Sequence, residues 1–429
     1  AALWPVYGTR MALLSAVALS SGVMFIGFAG AGTTDMIFTS CVSIGLILAW
    51  RHLSASPAPH PAGLWLAFFL FGLACLAKGP LALVMPLLTI YPFLATTTGL
   101  ERIHLAGILP GMALFLAVSL PWFWLIYIRE GFHFILVFFI NHHLARYLTD
   151  IHHHSGPVYF YLLVILLGML PWSPFLFFIR GIRESWRARR GHAASAGLVY
   201  FACWTVFPLL FFSLSSSKLP GYILPVFPAL AVLTGWGLER YCARTGSAGA
   251  FRIALAVLIL VVGIGLPVFF QVRFQLPFLG LLLALLSVPG FFLCGYWLRR
   301  GRKERAILSL VLAMILPPLL GGPWLFPALE PYFSHRRLCR LAMTWTGAHN
   351  PLLVYRNFHH TNDYYTGYTC VSKIETLEAL DGHLRGRTRP AFVLTTRESV
   401  AELAHVPGWR PIVLSTAGRS ALVRLVDHP

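Results

Sequence analysis

The chain has 429 residues, of which 57% are hydrophobic and only 11% charged, with a formal net charge of +18. That balance excludes a soluble globular domain and marks a polytopic membrane protein. The cations do not point to nucleic acid, because they stand in short clusters between apolar runs, as cytoplasmic loops do.

Apolar runs near the length of a membrane span predict helices over 11–28, 35–50, 64–77, 81–97, 108–128, 158–179, 196–215, 222–238, 253–270, 277–298 and 306–320, about eleven spans. Pro110, Pro121, Pro171, Pro225 and Pro228 fall inside them; membrane helices tolerate such kinks where neighbouring groups satisfy the freed carbonyls. Basic clusters at Arg180–Arg190 and Arg299–Arg305, with Arg51, Arg102, Arg240 and Arg244, share one side by span parity. The positive-inside rule makes that side cytoplasmic. The chain opens at Ala1 with neither a Met nor a signal-peptide pattern, so an upstream piece is expected.

The loops on the opposite, outer face hold the unusual residues. Asp35 ends the first and is the only acid before Glu101. A carboxylate at the mouth of a span is costly in hydrocarbon and is kept where it meets water, a cation or a polar substrate. The plainer reading is a cap on the following helix through the Met36 and Ile37 amides. The second loop is Lys78-Gly79-Pro80, where Lys78 serves a site or simply snorkels to the interface. The third carries Asn141, His142, His143, Arg146, Asp150 and the run His152-His153-His154, which is either solvated or a set of metal ligands. His142 and Arg146 stand at i and i+4, and His143 and Arg146 at i and i+3, so one helical turn presents them together. The fourth is Ser216-Ser217-Lys218-Leu219-Pro220-Gly221, followed by Tyr222. An acid, several cations and imidazoles, and a tyrosine at one face make a site for an anionic, phosphate-bearing ligand. Trp122, Trp124, Tyr127, Tyr159, Phe160 and Tyr161 read as an interfacial aromatic belt.

From residue 330 the character changes. Short strand-like runs at 352–355, 391–395, 411–415 and 421–426 alternate with helical patterns at 334–346, 374–386 and 397–405. Ser334 is a candidate N-cap for the first of these helices, and no cap is evident before the second. The tail reads as a small α/β domain, so the chain divides into a transmembrane domain over 1–329 and an extracytoplasmic domain over 330–429. It has no glycine fingerprint for a nucleotide. Cys339 and Cys370 in this tail are candidates for pairing, whereas Cys41, Cys75, Cys203 and Cys294 read as small buried hydrophobes.

In order, Thr34-Asp35-Met36, Ala77-Lys78-Gly79-Pro80, Leu120-Pro121-Trp122, His143-Leu144-Ala145-Arg146-Tyr147, His152-His153-His154-Ser155-Gly156-Pro157, Leu170-Pro171-Trp172-Ser173 and Lys218-Leu219-Pro220-Gly221-Tyr222 resemble the bacterial membrane glycosyltransferases of the C-type (GT-C) fold. The resemblance is to the aminoarabinose transferase and protein mannosyltransferase-like group and covers nearly the whole chain. It implies an inverting transferase in the bacterial inner membrane, with the C-terminal domain periplasmic. A sugar would move from a polyprenyl-phosphate donor to a lipid A-type, glycan or protein acceptor. Lys78, Arg146, Lys218 and Tyr222 would then bind the donor phosphate. His143 would assist, with a divalent metal cation as a candidate cofactor, and Asp35 would be a catalytic residue orienting the acceptor or the metal. The family's first acidic loop has no counterpart here, and two of its thirteen spans are unaccounted for, so an N-terminal truncation is expected. The competing reading is a transporter or flippase of an anionic lipid. Against it stand the absence of an internal repeat and the gathering of charge at one face.

Overall fold

The computed structural model describes residues 3–54, 60–97, 105–149, 156–176, 182–189, 192–243, 249–347, 350–385 and 390–427. Among them, seven helices are long and apolar enough to cross a membrane, or eight if the bent pair Trp4–Ser20 and Val23–Ala31 is one span. Two shorter apolar helices, Ala62–Lys78 and Leu81–Thr96, add to these. Every predicted run has a helical counterpart, but among the described residues the run over 158–179 is α-helical only at Phe160–Gly168. Beyond Gly168 come a turn and a short 3-10 segment. Pro171 and Pro174 cannot donate to a continuing helix, which accounts for the early end. The last predicted run extends well past residue 320, as Lys303–Phe333.

The chain packs as two compact units, 1–259 with 289–315, and 260–288 with 316–429. The compositional boundary between 329 and 330 therefore lies inside one long helix. In the first unit, Thr34–Ser54 packs on Ala62–Lys78, which packs in turn on Leu105–Leu136. Trp4–Ser20 lies along Phe227–Ala243. That last approach is close because Gly235 has no side chain: a Cβ there would meet the Ser15 backbone nitrogen at 2.7 Å. Small residues at helix contacts allow this where the hydrophobic effect does not drive association.

The second unit ends in a five-stranded sheet of order β2-β1-β3-β5-β4, with β1 Leu353–Tyr355, β2 Val371–Ile374, β3 Ala391–Thr396, β4 Trp409–Ala417 and β5 Ser420–Asp427. β1 pairs in parallel with β2 and β3, while β5 pairs antiparallel with β3 and β4. One face packs on the helix Leu377–Leu384, the other on Arg336–Ala342. The Thr376 hydroxyl accepts from the Ala379 amide and caps Leu377–Leu384, a cap the sequence pattern did not expose. The N-cap of Arg336–Ala342 is His335 and not Ser334, whose Oγ instead accepts from the Arg336 amide. Cys339 and Cys370 are both free thiols packed into the same apolar cluster, not a disulfide.

Candidate functional site

Asp35 lies in the first turn of Thr34–Ser54, and Lys78 is the last residue of Ala62–Lys78. Each charge stands at the helix end whose dipole favours it. The two helices pack side by side, which brings the charges together: Lys78 Nζ donates to Asp35 Oδ1. The capping reading of Asp35 does not hold, because the residue is inside the helix and its carboxylate takes the ammonium. Gly79, at φ 63°, turns the chain immediately after Lys78, and its amide closes the helix on the Cys75 carbonyl at 2.7 Å. Pro80 then precedes the next helix. The ammonium lies 5.9 Å from the Phe38 ring centre and 5.8 Å from that of Tyr222. Ring faces at this range attract a cation more strongly as water is removed.

Tyr222 and Gly221 belong to the 3-10 turn Pro220–Val226. The extended stretch before it carries Lys218, which is 7% exposed and donates through Nζ to the Ser215 carbonyl. Lys218 is therefore a buried cation, not a solvent-facing one. The third and fourth loops meet at backbone level: the Ser216 amide donates to the Tyr147 carbonyl at 2.9 Å, and Ser216 Oγ to the Leu148 carbonyl at 3.0 Å. The Arg146 backbone thus adjoins the Lys218 loop. The side chains of His143 and Arg146, and residues 150–155 with Asp150 and the His152–His154 run, lie outside the described residues.

Lys78, Tyr222, Gly221 and Ser215 share a cavity of about 680 Å³. Its other walls are apolar, notably Phe138, Phe139, Phe211, Phe212, Leu81 and Val84. Tyr147 is fixed there by a hydrogen bond from its hydroxyl to the Phe211 carbonyl at 2.9 Å and by stacking on Phe211 at 4.7 Å. The site therefore has one ion pair at an apolar groove, a shape that suits a molecule with a charged head and a hydrocarbon tail. The aromatic walls were not singled out from the sequence, where adjacent phenylalanines in a membrane run look like any lipid-facing pair. Tyr161, read as part of the belt, is fully buried, while Tyr159, Trp122 and Trp124 are exposed as expected.

Among the described residues, no group of three or more His, Cys, Asp or Glu side chains is placed to hold a metal ion. Asp35 is a single carboxylate already facing an ammonium, so the described side chains do not fit a divalent cation. Hard cations take several oxygen ligands.

No family model matches the chain. Among curated proteins, it is 32% identical over 322 residues to an undecaprenyl phosphate-alpha-4-amino-4-deoxy-L-arabinose arabinosyl transferase of Pseudomonas aeruginosa, covering 72% of this chain and 56% of that protein. It is 29% identical over 334 residues to the transferase of the same name from Edwardsiella ictaluri, covering 77% of this chain and 54% of that protein. The chain thus spans about half the length of the curated relatives it matches. Among solved structures, the crystal structure of ArnT from Cupriavidus metallidurans bound to undecaprenyl phosphate superposes with a TM-score of 0.76 at 23% identity, over 99% of this chain and 80% of that one. The apo structure of the same protein gives a TM-score of 0.74.

Proposed function

We propose that this chain, a sequence relative of the aminoarabinose transferases with the GT-C fold, moves a sugar from a polyprenyl-phosphate donor to a lipid A-type, glycan or protein acceptor at the periplasmic face of the inner membrane. The observation that carries this reading is Lys78, paired with Asp35, on the wall of an otherwise largely apolar cavity of about 680 Å³. The prenyl chain would lie along Phe138, Phe139, Phe211 and Phe212, with its phosphate toward Lys78.

In the transfer, the acceptor oxygen forms a bond to the anomeric carbon while the bond from that carbon to the phosphate oxygen breaks. The electron pair leaves with the polyprenyl phosphate. Negative charge therefore grows on the phosphate, and an ammonium already in place stabilises it without reorganisation. Asp35 acts through Lys78, holding the ammonium at the cavity wall, and Tyr222 covers it from the other side. Lys218 would supply a second positive charge after exchanging the Ser215 carbonyl for a phosphate oxygen. Arg146 and His143 are assigned to the same phosphate, and a divalent cation as cofactor is assigned with them on the resemblance alone. A phosphate acceptor would need no strong base, whereas a hydroxyl acceptor would need one within hydrogen-bond reach.

A flippase is the weaker reading, since Asp35 and Lys78 lie at helix ends and not near the midplane where transporters bind. The deciding experiment incubates membranes containing this protein with a polyprenyl-phosphate sugar labelled in the sugar, and follows label into lipid A, glycan and protein. Label transferred with release of polyprenyl phosphate supports the enzyme. Movement of intact donor across the bilayer without transfer would overturn it.

A further inference from the structure

A second recess lies in the first unit, at the other end of the Asp35 helix. Its volume is about 390 Å³, and Trp50, Arg51, His52, Ser54 and His60 line it. Residues 35 and 52 are about 25 Å apart along the axis of Thr34–Ser54, so this recess is at the membrane face opposite the ion-pair cavity.

Three features point to an anion. First, the recess collects donors. Arg51 and His52 stand in the last turn of Thr34–Ser54, where they offset the negative end of that helix. His60 Nδ1 accepts from the Ala62 amide at 3.2 Å, so neutral His60 carries its proton on Nε2 as a donor. Second, two long helices begin at its wall: Gly63 is the second residue of Ala62–Lys78, and Ala193 the first of Ala193–Leu214. His60 occupies the Ala62 amide, but the N-cap residues Pro61 and His192 bond no further amide through a side chain, and the remaining N-terminal amides favour anions. Third, and independently, Trp50 is fully buried and its Nε1 has no hydrogen-bond partner; the buried Ser54 hydroxyl also has none. A buried indole N–H without an acceptor carries a desolvation cost that an anionic oxygen would remove.

We propose that this recess is a second anion site, which takes the phosphate of an anionic phospholipid headgroup. The phosphate would accept from Arg51, from the Trp50 indole and from the amides at the two helix starts. Pro5, Val6 and Leu48 form the apolar side of the same recess and suit the glycerol and the start of the acyl chains. The height also fits, because Thr34–Ser54 ends here in a cationic turn, as membrane helices do at the headgroup layer. The site is independent of the sugar-transfer reading.

The test titrates the detergent-solubilised protein with short-chain phosphatidylglycerol and phosphatidylcholine and counts bound lipid by native mass spectrometry. Phosphatidylglycerol should bind at least tenfold more tightly. Arg51→Gln and Trp50→Phe should each weaken it about tenfold, as expected for loss of one charge-assisted hydrogen bond. Arg51 is exposed, so Arg51→Gln keeps the test decisive if Trp50→Phe folds poorly. Arg300→Gln, in a different basic cluster, should leave binding unchanged. Equal binding of the two lipids, an unaffected Arg51→Gln, or an equal loss in Arg300→Gln would overturn the proposal. Inorganic phosphate should compete only weakly; if it displaces the lipid at equal concentration, the site is for free phosphate and the lipid proposal fails.

Discussion

Gly221 backs onto the Asp35 carboxylate so closely that a Cβ there would lie 2.7 Å from Oδ1 and 3.1 Å from the Phe28 ring. Even the smallest side chain must push the carboxylate away, and Asp35 is what holds Lys78 at the cavity wall. Gly221→Ala should therefore lower sugar-transfer kcat/KM by at least tenfold, about 1.4 kcal/mol in transition-state stabilisation. Asp35→Asn should reproduce the effect, and the double variant should be no worse than the worse single one. Additive losses in such a cycle would show that Gly221 acts elsewhere.

Lys218 separates two effects that usually travel together. It is a buried cation bonded to a carbonyl, with its stem against Gly156. No carboxylate among the described residues pairs with it, and burying a charge without a counter-charge costs stability. Lys218→Met keeps most of the volume and removes the charge. Its melting temperature should match or exceed that of the wild type, while transfer should fall by one to two decades for loss of a phosphate contact worth roughly 1.5–3 kcal/mol. A large drop in melting temperature would instead make Lys218 structural.

Lys78 behaves differently because its partner is a carboxylate. Lys78→Ala leaves the part-buried Asp35 carboxylate without its ammonium, so both stability and transfer should fall. Lys78→Met with Asp35→Asn should restore stability but not transfer, since it removes both charges together. Thermal unfolding and initial rates on the same membranes check both halves. Full transfer by the double variant would remove Lys78 from the mechanism.

The C-terminal domain should be acid-sensitive through His335. Its Nδ1 lies 2.6 Å from Asn362 Oδ1 and its Nε2 2.9 Å from Ser420 Oγ. Asn362 is oriented by donating to the Asn357 carbonyl, and Ser420 Oγ accepts from Asn357 Nδ2. The Ser420 proton then goes to Nε2, and the ring is neutral with Nδ1 protonated. Burial lowers the His335 pKa below its ordinary 6.5, outweighing the opposing hydrogen bond to Asn362; nearby His359 lowers it further. The unfolded chain thus binds a proton that the folded one resists. The stabilisation is complete above pH 6.5 and is lost as pH falls from there toward the folded pKa. Hydrogen-exchange protection factors of residues 335–427, corrected for the slower intrinsic exchange at low pH, should fall between pH 7 and 5. His335→Gln, which can donate to Asn362 and accept from Ser420, should flatten that dependence. An unchanged slope in the variant would assign the sensitivity to another group.

Thr376→Ala tests the cap on Leu377–Leu384. Loss of the bond to the Ala379 amide should cost about 1 kcal/mol, read as a lower denaturant midpoint for the domain with no change in sugar transfer. Thr376→Ser should recover most of it.

Composition and hydropathy alone determined that this is a multi-span membrane chain with an α/β tail. The reason is that solvation by lipid or water acts on each segment by itself. Asp35, Lys78, Lys218 and Tyr222 were legible as candidates for the same reason, since polar residues stand out where hydrocarbon penalises them. β2 was not legible: Val371-Ser-Lys-Ile is short, Lys373 has a φ of 68° and the pairing with β1 shifts register there, so no alternation survives to be read. Nor was the end of the Phe160–Gly168 helix, where hydrophobicity continues after the backbone has turned. The ion pair itself belongs to the tertiary structure. Asp35 and Lys78 are 43 residues apart, and only the packing of one helix N-terminus beside another's C-terminus makes them partners. The same holds for the burial of Lys218 and Tyr161 and for the four phenylalanines of the groove, because which side of a uniformly apolar helix faces protein and which faces lipid is decided by its neighbours.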